Sequence, residues 1–171
     1  PKIAIVSLIK WMEKHGYGPG EYDFFDIDML DATDDEIRAY LKAYRPTVIG
    51  FSATVSTGYS QVKRIAAVAR EECPDAWLVL GGSVSASAQV VLHKTTIDVC
   101  VQGDGEIPWV EFLNYTKRFG RQWNYEALAR IRGLTYLRGD SKMEFTDYPE
   151  KISENPFPDF ELLRTGLRTR P

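Results

Sequence analysis

The chain has 171 residues, 44% of them hydrophobic, enough to bury one full core, and a net charge of −3. Its Lys and Arg do not cluster, which argues against nucleic acid as a partner, and no apolar run approaches the roughly 18 residues of a membrane span. The N-terminus shows no charged, apolar, small-residue leader pattern, so the expected location is the cytoplasm.

In chain order, residues 2–8 (KIAIVSL) read as a first strand and residues 22–30 (YDFFDIDML) as a second. Between them there is room for a short helix and a Gly/Pro loop. Thr33 and Glu36 form a Thr-x-x-Glu capping box, and Ile37, Tyr40, Leu41 and Tyr44 follow at the spacing of one apolar helix stripe. Pro46 closes that helix, and residues 47–52 (TVIGFS) form a third strand, apolar enough to be covered on both faces. Ser56 or Thr57 is placed to cap the next helix, which turns Val62, Ile65, Ala66 and Ala69 inward and ends near Cys73 and Pro74.

The stretch "AWLVLGGSVSAS", residues 76–87, supplies a fourth strand that stops at two glycines. Residues 97–101 (IDVCV) are the fifth, and "GDGEIPWVEFLNYTKRF" opens the helix after it. Past residue 130, "GLTYLRGDSKMEFTD" alternates about a Gly-Asp-Ser turn and reads as a β-hairpin. "NPFPDFELLRTGLRTRP" has prolines, turn residues and no periodicity, as a linker or arm would. Cys73 and Cys100 are the only cysteines. Neither belongs to a close pair or a Cys/His cluster, so buried free thiols are expected.

Strands alternating with helices at this spacing predict an α/β domain, flavodoxin-like and doubly wound, with a five-stranded parallel sheet. The expected division is a Rossmann-like domain over residues 1–130, a hairpin over 131–150 and a linker over 151–171. In such sheets ligands lie beyond the carboxyl ends of the strands, which directs attention to the loops after the first, third and fourth.

Two of those loops, Ser52-Ala53-Thr54 with its continuation and Gly81-Gly82-Ser83-Val84 with its own, are rich in hydroxyls and small residues. A flat or bulky ligand could pack on bare backbone at Gly81 and Gly82 while Ser52, Thr54 and Ser83 hydrogen-bond its polar edge. The plainer alternative is a pair of strand-to-helix turns, with Gly for positive φ and Ser/Thr for caps. Phosphate-loop signatures are missing: no Gly-x-Gly-x-x-Gly follows the first strand, and no Gly-Lys-Ser/Thr occurs. A receiver domain would need an aspartate where this chain has Ser52. Flavodoxins place their hydroxyl-rich loop after the first strand, which leaves a flavin carrier as a lesser reading.

The order Ser52-x-Thr54, Gly81-Gly82 and Val101-Gln102-Gly103-Asp104-Gly105-Glu106 resembles the N-terminal cobalamin-binding domain of cobalamin-dependent radical SAM enzymes. The hairpin "IRGLTYLRGDSKMEF" and the segment "ENPFPDFELL" extend the resemblance through the whole chain, the latter to the linker that enters the radical SAM barrel. The resemblance implies that Ser52 and Thr54 face the cobalamin nucleotide tail and that Gly81 and Gly82 let the tail slot between the sheet and the next helix. Gly103, Gly105 and Glu106 match the acidic glycine turn, with Asp104 where the family commonly has Glu. A plainer role, acidic residues favouring a helix N-terminus, fits that turn as well.

Two departures from related patterns matter. There is no Asp-x-His-x-x-Gly, the segment whose histidine ligates cobalt in the methionine-synthase type of domain, and neither His15 nor His93 is placed to replace it. The cofactor would be base-off without a protein imidazole, over a loop spanning residues 7–11 that begins with Ser7 and Leu8. The Cys-x-x-x-Cys-x-x-Cys of the 4Fe-4S cluster is also missing, so the chain is expected to be one non-catalytic domain of a longer protein. S-adenosylmethionine and the cluster would belong to a barrel in cis. By resemblance, the parent enzyme would transfer a methyl group or perform an oxidative cyclisation. The competing class is a flavodoxin-like docking domain with no cofactor.

Overall fold

The structure, a computed structural model, describes residues 3–54 and 58–152. Its described residues fall into two compact units, residues 3–32 with 151–152, and residues 33–54 with 58–150.

In the first unit the two expected strands are not formed. Residues Ile3–Lys14 are a helix, α1, and the second segment is irregular up to a single helical turn, α2 (Ile27–Leu30). The apolar run over residues 3–9 fits strand or helix alike. The pattern continues through Val6, Ile9 and Met12 at a spacing of three, and at twelve residues length decides for helix. In the second segment acidic side chains satisfy the local backbone. Asp23 Oδ1 accepts from the Phe24 N–H at 2.8 Å, and Asp26 caps α2 by accepting from the Met29 N–H at 3.1 Å. Tyr22 donates its hydroxyl to Glu13 at 2.6 Å; burial and that carboxylate push its pKa up to about 12.

The second unit begins with α3 (Asp34–Tyr44), whose capping box is complete. Thr33 Oγ1 accepts from the Glu36 N–H and the Glu36 carboxylate accepts from the Thr33 N–H. Strand β1 (Val48–Ser52) follows, then α4 (Gly58–Glu72), β2 (Trp77–Gly81), a 3-10 turn (Ser83–Ser87), α5 (Ala88–Lys94) and β3 (Val99–Val101). Next come α6 (Glu106–Phe119), the single turn α7 (Tyr125–Leu128) and the hairpin β4 (Leu134–Leu137) and β5 (Met143–Phe145). The expected caps Ser56 and Thr57 lie outside the described residues.

All five strands form one sheet in sequence order, β1-β2-β3-β4-β5. The pairs β1–β2 and β2–β3 are parallel, while β3–β4 and β4–β5 are antiparallel. The fold is flavodoxin-like α/β, and the hairpin completes the sheet that sequence alone built from two N-terminal strands.

Alternation along the strands sorts the core. Trp77, Val79, Val99, Val101, Leu134 and Tyr136 turn to the face covered by α6, where Phe112 and Tyr115 close a fully buried cluster. Leu78, Leu80, Cys100 and Thr135 turn to the opposite face, on which α4 packs against β2 and α5 against β3 and β4. At the amino ends of the strands Asp98 ties the layers together. It accepts from the Leu78 N–H at 2.8 Å, from Arg70 at 2.7 Å and from Arg121 at 2.6 Å. With both cations and a backbone N–H paired to it, this carboxylate is satisfied despite its burial.

Candidate functional site

Parallel pairing aligns the carboxyl ends of β1 and β2, with Ser52 beside Gly81 in the ladder. The pairing runs one step further, because the Ala53 N–H donates to the Gly81 carbonyl at 3.2 Å. The chain then doubles back: the Val84 N–H donates to the Ala53 carbonyl at 3.1 Å. This closure requires the backbone of Gly82 to pass against Ala53. Gly82 has φ +83°, and a Cβ there would stand 2.5 Å from the Ala53 carbonyl oxygen. Gly81 differs, since a Cβ on it would meet only the Phe51 carbonyl oxygen, at 3.9 Å. One glycine is needed for the joint between loops, and the other leaves an open strand end.

The 3-10 turn is fastened to β3 in the same way. The Ser85 hydroxyl lies 2.7 Å from both the Gly82 and Val101 carbonyl oxygens and shares its proton between them. Gln102 donates its side-chain N–H to the Ser85 carbonyl at 2.6 Å. Ser85 and Gln102 therefore join the rim, although neither stood among the residues assigned from sequence. A serine three residues after Gly82 is the local signal, since a hydroxyl at that spacing can bond back to the carbonyl that opens the turn.

Of the expected site residues, Ser52, Ala53, Thr54, Gly81, Gly82, Ser83 and Val84 come together in this rim. Ala53 and Val84 are buried and hold the loops. Ser52, Thr54 and Ser83 are exposed, and their hydroxyls have no partner among the described residues. Gly103 follows β3 and lies against Pro149, and Gly105 is the N-cap of α6 with Glu106 in its first turn. Ser7 and Leu8 stand on α1 in the first unit, so the expected loop over residues 7–11 is helical. His93 is exposed in the last turn of α5, at the helix end remote from the rim. Among the described residues no group of three or more His, Cys, Asp and Glu could hold a metal ion, and no helix is long and apolar enough to cross a membrane.

Bare backbone at Gly81 and three unused hydroxyls suit a large ligand with a polyhydroxyl edge. They offer no cationic side chain for a bare phosphate.

Both thiols are buried, as expected. Burial alone pushes the Cys100 pKa from the ordinary 9.0 up to about 12. The native thiol therefore stays protonated where the unfolded one ionises. Its contribution to stability is complete below about pH 9 and is lost as pH rises toward 12, at about 1.4 kcal/mol per pH unit. Tyr136, also raised to about 12 chiefly by burial, acts in the same direction. Urea unfolding between pH 8 and 11 is expected to show this decline, with a shallower slope in Cys100→Ala. Ellman's reagent at pH 8 should modify neither cysteine until urea is added.

The family described as B12 binding domain matches residues 1–113. An uncharacterized methyltransferase of Pyrococcus horikoshii is 28% identical over 149 residues, 84% of this chain and 31% of the relative. The anaerobic magnesium-protoporphyrin IX monomethyl ester cyclase of Rubrivivax gelatinosus is 25% identical over 169 residues, 95% of this chain and 29% of the relative. The chain thus spans less than a third of the curated relatives it matches. Among solved structures, the cobalamin-dependent S-adenosylmethionine radical enzyme OxsB, with aqua-cobalamin and S-adenosylmethionine bound, superposes with a TM-score of 0.75 at 14% identity. That match covers 97% of this chain and 22% of OxsB. The radical S-adenosylmethionine methyltransferase TsrM from Kitasatospora setae gives a TM-score of 0.67 at 21% identity, covering 87% of this chain and 27% of TsrM. At these identities the two structures establish likeness of fold.

Proposed function

Because the chain belongs to the B12 binding domain family, we propose that it holds cobalamin at the rim formed by the carboxyl ends of β1, β2 and β3. In this reading it serves as one module of a longer radical SAM enzyme. The observation that carries the reading is the Gly81–Gly82 pair, in which one glycine locks two loops together and the other leaves bare backbone beside unused hydroxyls. The relatives called a methyltransferase and a cyclase support methyl transfer or cyclisation as the work of the whole protein.

When bound, cobalamin would supply a cobalt centre able to carry a methyl group. The residues of this chain do the rest. Ser52, Thr54 and Ser83 hydrogen-bond the polar edge of the nucleotide tail, and Gly81 lets the tail approach the sheet. Ala53, Val84, Ser85 and Gln102 hold the rim in shape before the cofactor arrives, so little ordering remains for binding to offset. In this reading the cofactor is held base-off without a protein imidazole. S-adenosylmethionine and the 4Fe-4S cluster belong to a barrel domain in cis.

Titration of the 171-residue chain with hydroxocobalamin tests the proposal. One equivalent should bind, with a change in the corrin absorption bands and measurable heat. An unchanged spectrum together with no heat of binding would sink it.

A further inference from the structure

Gly133, just before β4, is buried where the loop after β3, the turn into the hairpin and the exit from β5 meet. Its φ is +90°, a conformation that glycine adopts without strain. Its carbonyl accepts from the Gln102 N–H at 2.7 Å, and its own N–H donates to the Asp147 carbonyl at 2.6 Å. A Cβ there would stand 3.2 Å from Pro108 Cγ, 3.2 Å from Pro149 Cδ and 3.3 Å from the Gln102 carbonyl oxygen. Two of these neighbours are proline rings and the third is backbone, so none can swing aside as the end of a flexible side chain would. The exit segment is itself strapped down. Asp147 is held at φ +77°, uncommon for a residue with a side chain, and its carboxylate accepts from the Tyr148 N–H and from Arg132, each at 2.8 Å. Thr146 donates its hydroxyl to the Ile131 carbonyl at 2.6 Å and accepts from the Leu134 N–H at 2.9 Å.

These contacts continue into the rim. Gln102, its N–H anchored on Gly133, gives its side-chain N–H to the Ser85 carbonyl at 2.6 Å, and the Ser85 hydroxyl reaches the Gly82 carbonyl at 2.7 Å. Hydrogen bonds thus run from the hairpin exit, through Gly133 and Gln102, to the glycine joint. We propose that Gly133 is a positioning residue for cofactor binding: it fixes where Gln102 stands, and through Gln102 the 3-10 turn that carries Ser83. The inference rests on the cobalamin reading and gives the hairpin a part in shaping a rim built from other loops. It also accounts for the left-handed backbone of Asp147, which turns its carbonyl toward the Gly133 N–H.

The test compares Gly133→Ala with Gly120→Ala in the full chain. Gly120 also has a positive φ, +59°, but a Cβ on it would meet nothing within 4 Å, and it closes α6 at the end remote from Gly105. Both variants should lower the urea midpoint. Only Gly133→Ala should bind hydroxocobalamin more weakly, by about tenfold. Only there should hydrogen exchange at the Val84 and Ser85 amides speed up beyond the general loss of stability. Gln102→Met removes the side-chain donor without backbone strain and should show the same two changes, and adding Gly133→Ala to it should weaken binding no further. Wild-type affinity in Gly133→Ala or in Gln102→Met would overturn the inference, as would an equal loss in Gly120→Ala or full additivity in the double variant. A wild-type chain that binds no hydroxocobalamin would remove the cobalamin reading, and the exchange rates at Val84 and Ser85 would then decide alone whether Gly133 positions the turn.

Discussion

Gly82→Leu is expected to lose both stability and cofactor binding, whereas Gly81→Leu loses binding alone. At Gly82 a side chain meets two obstacles. The left-handed φ of +83° costs a non-glycine residue about 1–2 kcal/mol, and the Cβ would sit 2.5 Å from a backbone oxygen that cannot rotate away. The Ala53–Val84 hydrogen bond must then open, for a total of about 3 kcal/mol. Gly81 lies at the end of β2 with its Cβ position nearly free, so leucine there changes stability by less than about 1 kcal/mol. Its side chain projects into the space the nucleotide tail would occupy and should weaken hydroxocobalamin binding by about 100-fold. Chemical denaturation and corrin absorbance read the two effects separately. If Gly81→Leu bound as well as wild type, the rim would not be where the cofactor sits.

Trp77→Ala should be the most destabilising single core change, at about 3–5 kcal/mol, a large share of the roughly 5–15 kcal/mol available to a domain. The ring is 1% exposed and meets Phe112, Tyr115 and Trp123 edge-on, with centroids 5.4, 6.1 and 4.7 Å away. Its Nε1–H donates to the Gly120 carbonyl at 2.8 Å, and the Arg121 guanidinium stacks 4.0 Å above it. Alanine would leave a cavity, an unpaired carbonyl and a cation without its aromatic face. A midpoint in urea lowered in proportion, with an unchanged slope, is the expected result. Trp77→Phe should recover part of the loss, because it restores ring contacts but not the hydrogen bond.

The parts of the fold legible in sequence were those fixed by nearby residues. The capping box at Thr33 and Glu36 is a contact across three residues, and the runs that became β1, β2 and β3 are bounded by breakers. Misreadings came where two local solutions compete. Residues 3–9 are rich in apolar, β-branched side chains, yet their continuation to Lys14 makes a helix, and Asp26 prefers to cap α2 over extending a strand. The place of the hairpin was not legible either. Its turn is local, but pairing Val99 with Tyr136 joins positions that no short-range pattern links. At the site, glycines and hydroxyls were visible as types. The division of labour between Gly81 and Gly82 depends on where Ala53 ends up.

Because each strand of the sheet lies beside the one made just before it, the domain can be assembled from its N-terminal side as the chain is synthesised. Each new strand pairs with its predecessor in sequence, so no step must close a loop over more than one intervening segment. The bonds linking Ala53, Gly82, Val84, Ser85 and Gln102 need nothing later in sequence than Gln102. The rim can thus be in place while the hairpin is still to come. On that order of events the sheet is completed last, when β4 docks on β3.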